Sequence, residues 1–391
     1  MGIFAKFVGG KHHSIMEAPK TREYFLDYSK SIILLGMMMV HIVEEWPTAA
    51  TQSDAAFYLL FVLGLLFGAS AFMLSMGWTF NYARNLTPRK LALRGLKMLG
   101  MAYAFNVCRG ITALFFGDMQ LILFNWLVPD ILQFAGLAMM VFAAAMAARI
   151  KTWIFPIAAL ALTAVGYYCA PYLPLAGSVD NPSLSIEAAK YLLGLFYYTG
   201  FYYSFFPLLN WLIFPAVGFW VGAMYLRAKQ QDRDRAFMQR ACIIGYAIFA
   251  ALLVVDHFWD NTIIGIVSYD TFLQLGHNAC IELIYDVPPL DAVMATSFIV
   301  ATFAAVKLII DAIKRHWPGE TRLDRLTFAF SRNINNVYIV QWIITNNLAY
   351  PLIAMNVEFD TLGVWLAWLA VTSVTIALIY LWDKHKRKKR I

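Results

Sequence analysis

The sequence predicts an all-α polytopic membrane protein of about ten transmembrane helices, and three observations carry that prediction. Of 391 residues, 61% are hydrophobic and only 14% charged, where soluble domains carry about a quarter charged residues. Apolar runs near the length needed to cross about 30 Å of hydrocarbon recur along the whole chain. Lys and Arg gather in alternate breaks between those runs, the asymmetry that orients a multi-pass protein with its basic loops inside. The net charge of +7 is therefore read as topology and not as a nucleic-acid footprint.

The apolar runs fall at roughly 30–48, 55–83, 96–117, 121–147, 152–170, 207–226, 241–258, 292–313, 327–353 and 361–382. An even count puts both termini on one side, the cytoplasmic one. Residues 1–29 are then a cytoplasmic N-terminal segment, 30–383 a single transmembrane domain, and 384–391 a basic cytoplasmic tail. Of the 31 Lys and Arg residues, only Lys190 is placed on the outer side and only Arg109 deep in a span. The outer segments instead hold more than half of the 24 acidic residues, and two long outer loops, 171–206 and 259–291, are rich in aromatic residues. The first of these contains an expected interfacial helix at 185–206. The 4 cysteines show no CxxC and no metal-ligand spacing, which argues against both a disulfide scaffold and a zinc site.

The first span carries the strongest chemistry. Lys30 and His41 are eleven residues apart, about three helical turns, so they share one face with about 16 Å of axial rise between them. A histidine inside a membrane helix costs free energy unless it has a task, and burial favours its neutral, basic form. Glu44 and Glu45, three and four residues further on, are candidate orienting partners. A cluster of cations, Arg89, Lys90, Arg94 and Lys97, follows the second span on the same side as Lys30. Arginine and lysine there suit phosphate groups, although membrane orientation alone also accounts for them. The gap from Lys30 to His41 is comparable to an extended pantetheine arm. Further polar residues lie within spans: Asn106, Arg109, Asp130 and Gln341. Arg109 and Asp130 fall at similar depth on sequential helices and are expected to form an ion pair.

Leu26, Asp27, Lys30 and His41 resemble the signature of the acyltransferase-3 family, an LD pair followed by a basic residue and a histidine eleven residues after it. The segments LFVLGLLFGASAFMLSMGW with the basic RKLALRGLK, VPDILQFAGLAMM, FPLLNWLIFPAVGFWVGAMY and SRNINNVYIVQWII resemble, in that order, the related heparan-α-glucosaminide N-acetyltransferase-like proteins. Lys30-Ser31 stands where Arg-Gly is usual, and Gln341 where these families often have histidine. The resemblance implies an integral membrane acyltransferase moving an acyl group, most commonly acetyl, from cytoplasmic acyl-CoA to a hydroxyl or amine of a glycan or lipid-linked acceptor at the outer face. It assigns His41 as the catalytic residue, with Lys30 and Arg94 among the donor-site cations and no metal. A general-base route and a transient acyl-imidazole both remain open. The expected setting is a microbial plasma membrane, with lipid, acyl-CoA and acceptor as partners, no nucleic acid, and a homodimer allowed. The alternative is a secondary transporter using His41, Asp130 and Arg109 as a relay; the absence of matching interrupted helices in two halves weighs against it.

Overall fold

The computed structural model describes residues 23–46, 48, 68–83, 85–117, 119–176, 183–200, 203–259 and 285–388. Among these the chain is helical, with one isolated bridge between Thr48 and Phe359. Seven helical stretches are long and apolar enough to cross a membrane: Tyr24–Glu45, Met119–Ala147, Ile154–Tyr172, Leu208–Gln230, Asp234–Val255, Pro289–His316 and Thr361–His385. These make the protein an all-α multi-pass membrane protein.

The remaining expected spans differ in instructive ways. For the second, only Ala69–Phe80 falls in a described helix, and residues 55–67 lie outside the described residues. The third helix begins at Pro88 and not near 96, because Thr87 caps it and Pro88 occupies its first turn. Its 22 residues are long enough to span but too basic at one end to qualify by composition. The ninth run, expected as one helix, divides at Asn333 into an amphipathic helix, Arg322–Arg332, and a 21-residue polar helix, Ile334–Ala354. The expected interfacial helix runs Leu184–Gly194, ending well short of 206.

We number the helices used below α1 (Tyr24–Glu45), α2 (Ala69–Phe80), α3 (Pro88–Arg109), α4 (Met119–Leu127), α5 (Ile131–Ala147), α6 (Ile213–Gln230), α7 (Pro289–His316), α8 (Arg322–Arg332), α9 (Ile334–Ala354) and α10 (Thr361–Lys388). Helix α1 is the central element and packs against α2, α7, α8, α9 and α10. Its methionine run follows from this position, since Met37, Met38 and Met39 are all buried and unbranched side chains fill irregular gaps between helices. Two pairs of helices approach at backbone distance. A Cβ on Gly218 of α6 would fall 2.0 Å from the Leu74 carbonyl oxygen of α2, and one on Gly95 of α3 would fall 2.6 Å from the Gly136 carbonyl oxygen of α5. Small residues allow such contacts, which supply the dispersion that membrane helices need in place of a hydrophobic driving force.

Polar clamps at both ends fix the axial position of α1. At its N-terminal start, the buried Glu23 accepts a bond from the Tyr225 hydroxyl (3.1 Å) and pairs with Lys229. One turn later, the Tyr28 hydroxyl donates to Asp324 of α8 (2.8 Å), which also pairs with Lys314 and completes a capping box with Thr321. At the other end, the Trp46 indole donates to the Thr345 carbonyl of α9 (2.8 Å). Burial alone pushes the Asp324 carboxyl up, but bonds from Lys314, Thr321 and Tyr28 outweigh it and hold the carboxyl near 2. A carboxyl held below its usual value near 3.8 stabilises the fold above that value. That contribution is lost as pH falls toward 2. Asp324→Asn is therefore expected to destabilise the protein by about 1–3 kcal/mol at neutral pH. The gap between wild type and variant should close on titration from pH 4 toward pH 2, read by melting in detergent.

Candidate active site

The polar residues of α9 meet α1 at His41. Tyr338, Gln341 and Trp342, spaced three and four residues apart, share one face of α9, and all three touch the imidazole. Gln341 lies at Nδ1, with Oε1 at 3.1 Å and Nε2 at 2.8 Å. The same Nε2 also reaches the Tyr338 carbonyl at 3.1 Å, which fixes the amide against Nδ1: its carbonyl accepts from an Nδ1–H in one tautomer of the imidazole, and its N–H₂ donates to Nδ1 in the other. Nε2 has no hydrogen-bond partner among the described residues. Trp342 stacks on the imidazole with ring centroids 3.9 Å apart, and Tyr338 meets it edge-on at 5.9 Å. The histidine is buried, and its ring is held in place by these contacts.

Behind these rings sits the expected ion pair. Arg109, at the end of α3, donates to Asp130 at 2.8 Å, and both side chains are buried. The chain breaks at Val128–Pro129–Asp130, where Asp130 caps α5: its Oδ1 accepts from the Ile131 amide and Gln133 returns a bond to its backbone. The Tyr338 hydroxyl donates to the same carboxylate, 2.9 and 3.0 Å from its two oxygens. The Arg109 guanidinium also lies 5.2 Å from the Trp342 ring centroid, in cation–π range. Asn106 supports the break by donating to the Val128 carbonyl at 2.9 Å. Further along α9, Asn346 donates to Asn125 (3.0 Å), and Asn125 in turn donates to the Tyr350 hydroxyl (2.6 Å).

The remaining candidates are placed differently. Glu44 and Glu45 lie one turn beyond His41, half-buried, and neither bonds the imidazole among the described residues. The orienting contact expected of them is made by Gln341, because residues following on the same helix sit above the ring whereas α9 faces it from the side. Lys30 is half-buried on α1, about 16 Å along the axis from His41. Arg89, Lys90, Arg94 and Lys97 are exposed on the first three turns of α3. Cations there oppose the helix dipole, a cost that a bound anion would offset, since free N–H groups and positive charge together make a helix start an anion site. The segment VVDHFWDN carries a further polar group, Asp256, His257 and Asp260, whose side chains lie outside the described residues. No group of three or more metal-ligating side chains is present among the described residues. Trp342 and Asn125 were not anticipated as site residues, since an indole or a lone amide in an apolar run carries no signal of its own.

Among individual curated proteins, none matches the chain. Residues 22–257, more than half of the chain, match the family described as heparan-alpha-glucosaminide N-acetyltransferase, catalytic. The match includes Lys30, His41, the cationic start of α3 and the Arg109–Asp130 pair, and it ends before α9. On this match the chain belongs to the heparan-alpha-glucosaminide N-acetyltransferase catalytic family, and it is a membrane acyltransferase.

Proposed function

We propose that the protein transfers an acetyl group from cytoplasmic acetyl-CoA to a hydroxyl or amine of a glycan or lipid-linked acceptor presented at the outer face of a plasma membrane. The observation that carries this reading is His41, held at Nδ1 by Gln341 with Nε2 unbonded, on the buried central helix of an acetyltransferase family member. The donor's phosphates are assigned to Arg89, Lys90, Arg94 and Lys97, with Lys30 near the mouth of the path along α1. The thin pantetheine arm then brings the thioester inward to His41.

In the reaction, Nε2 of His41 takes the proton from the acceptor O–H or N–H as that atom attacks the thioester carbonyl. The tetrahedral intermediate collapses, the C–S bond breaks, and the leaving CoA thiolate recovers the proton from the imidazolium. Glu44 and Glu45, beyond His41 toward the outer boundary, are suited to receive a polar acceptor. His41→Ala is expected to lower turnover about 10²–10⁴-fold with little change in melting, measured as transfer of radiolabelled acetyl from acetyl-CoA to glucosamine. Near-normal turnover would make His41 structural.

Paired glutamine replacements of Arg94 with Lys97, and of Arg89 with Lys90, are expected to raise KM for acetyl-CoA at least several-fold while KM for glucosamine holds, because charge-assisted phosphate contacts disappear with the cation. Unchanged donor KM in correctly inserted protein would leave these residues to orientation alone. The direction of transfer is tested in sealed inside-out vesicles. Acetyl-CoA added outside should label glucosamine trapped in the lumen, and labelling of external glucosamine alone would refute transfer across the membrane.

A further inference from the structure

A buried Arg–Asp pair earns an explanation, because two apolar residues of similar volume would fill the same space at equal or better stability. The pair does more here than neutralise itself. The carboxylate of Asp130 is fixed twice, by Arg109 at 2.8 Å and by the cap on α5 through Ile131 N–H at 2.6 Å, and it then holds the Tyr338 hydroxyl through both oxygens. The guanidinium of Arg109 reaches Trp342 and Phe105, at 5.2 and 5.7 Å from their ring centroids. Tyr338 and Trp342 are the two rings that flank His41. Each flanking ring is thus tied to one member of the ion pair, and Gln341 lies between them on the same helix.

We propose that Arg109 and Asp130 are positioning residues for His41, acting through two arms: Asp130 through the Tyr338 hydroxyl, and Arg109 through the face of Trp342. This rests on His41 being the base. An imidazole stacked on one ring and met edge-on by another keeps its plane only while those rings keep theirs, and rotation of the plane swings Nε2 away from the acceptor proton. Displacements of about 1 Å at a reacting atom can cost on the order of 10²-fold in rate. Neither Arg109 nor Asp130 needs to touch substrate for this role.

Two variants separate positioning from mere stability. Tyr338→Phe deletes one oxygen and keeps the ring. The double replacement Arg109→Gln with Asp130→Asn removes both charges together, so no buried charge is left unpaired, and it keeps an oxygen to cap α5. Both are expected to melt within a few degrees of wild type. Each should lower kcat for acetyl transfer to glucosamine about 10-fold or more, with KM for acetyl-CoA unchanged. Should the double variant fail to insert, Tyr338→Phe alone decides the matter. A folded Tyr338→Phe protein with wild-type kcat, or one altered only in KM, overturns the positioning role. If His41→Ala is inactive in the same assay, that result leaves the base reading standing; if His41→Ala is active, both fall.

Discussion

The buried pairing of Arg109 with Asp130 is the constraint around which the interior is arranged. A charge in a low-dielectric interior cannot borrow solvation, so each partner must be delivered to the other and its remaining bonding groups occupied. Delivery explains local features that would otherwise be defects. The break at Val128–Asp130 exposes backbone carbonyls inside a membrane-length stretch, and Asn106 and the capping box absorb the cost. Placing Asp130 at the start of α5 gives its carboxylate a helix N-terminus as well as a guanidinium, two favourable partners for one negative charge. The polar face of α9 then has a fixed place to dock through Tyr338, and docking α9 sets Gln341 and Trp342 against α1.

Helix α1 shows how the rest of the fold serves that arrangement. Its centre is apolar and buried, and apolar contacts alone would let it slide along its axis with little penalty. Directional bonds at the ends prevent that: Glu23 with Tyr225 and Lys229, Tyr28 with Asp324, and Trp46 with the Thr345 carbonyl. The Trp368 indole adds a side tie to the Leu35 carbonyl at 3.1 Å. With both ends of α1 pinned, the depth of His41 follows from its position eleven residues past Lys30, and the ring needs only lateral support, which α9 supplies.

Much of the fold was legible in the sequence because one strong force, exclusion of polar groups from hydrocarbon, writes itself into composition as runs and breaks. The shared face of Lys30 and His41 was legible for a similar reason, since helical periodicity is local arithmetic. The Arg109–Asp130 pair could be anticipated because buried charges need partners and few others lie at that depth. Helix boundaries were less readable. The start of α3 at Pro88 depends on one threonine cap, and the split at Asn333 separates an amphipathic helix from a polar one inside what looks like a single run. The partner of His41 was beyond sequence reasoning altogether. Gln341 is 300 residues away, and proximity along α1 pointed to Glu44 and Glu45, which tertiary packing leaves above the ring.

That partner also marks where this chain departs from the families it resembles, in which a histidine often occupies the position of Gln341. A second imidazole there would titrate with the first, so the protonation of one ring would depend on that of the other. An amide carries no titratable proton. It offers a fixed carbonyl and a fixed N–H₂ at Nδ1 of His41, with the N–H₂ also tied to the Tyr338 carbonyl. The family match ends before α9, so the half of the site that holds the ring at Nδ1 lies outside the matched region, while the half that bears His41 and its buried ion pair lies within it. A base delivered by α1 is thus held at Nδ1 by an amide on α9 that brings no second proton equilibrium to the contact, which a histidine pair could not do without coupling.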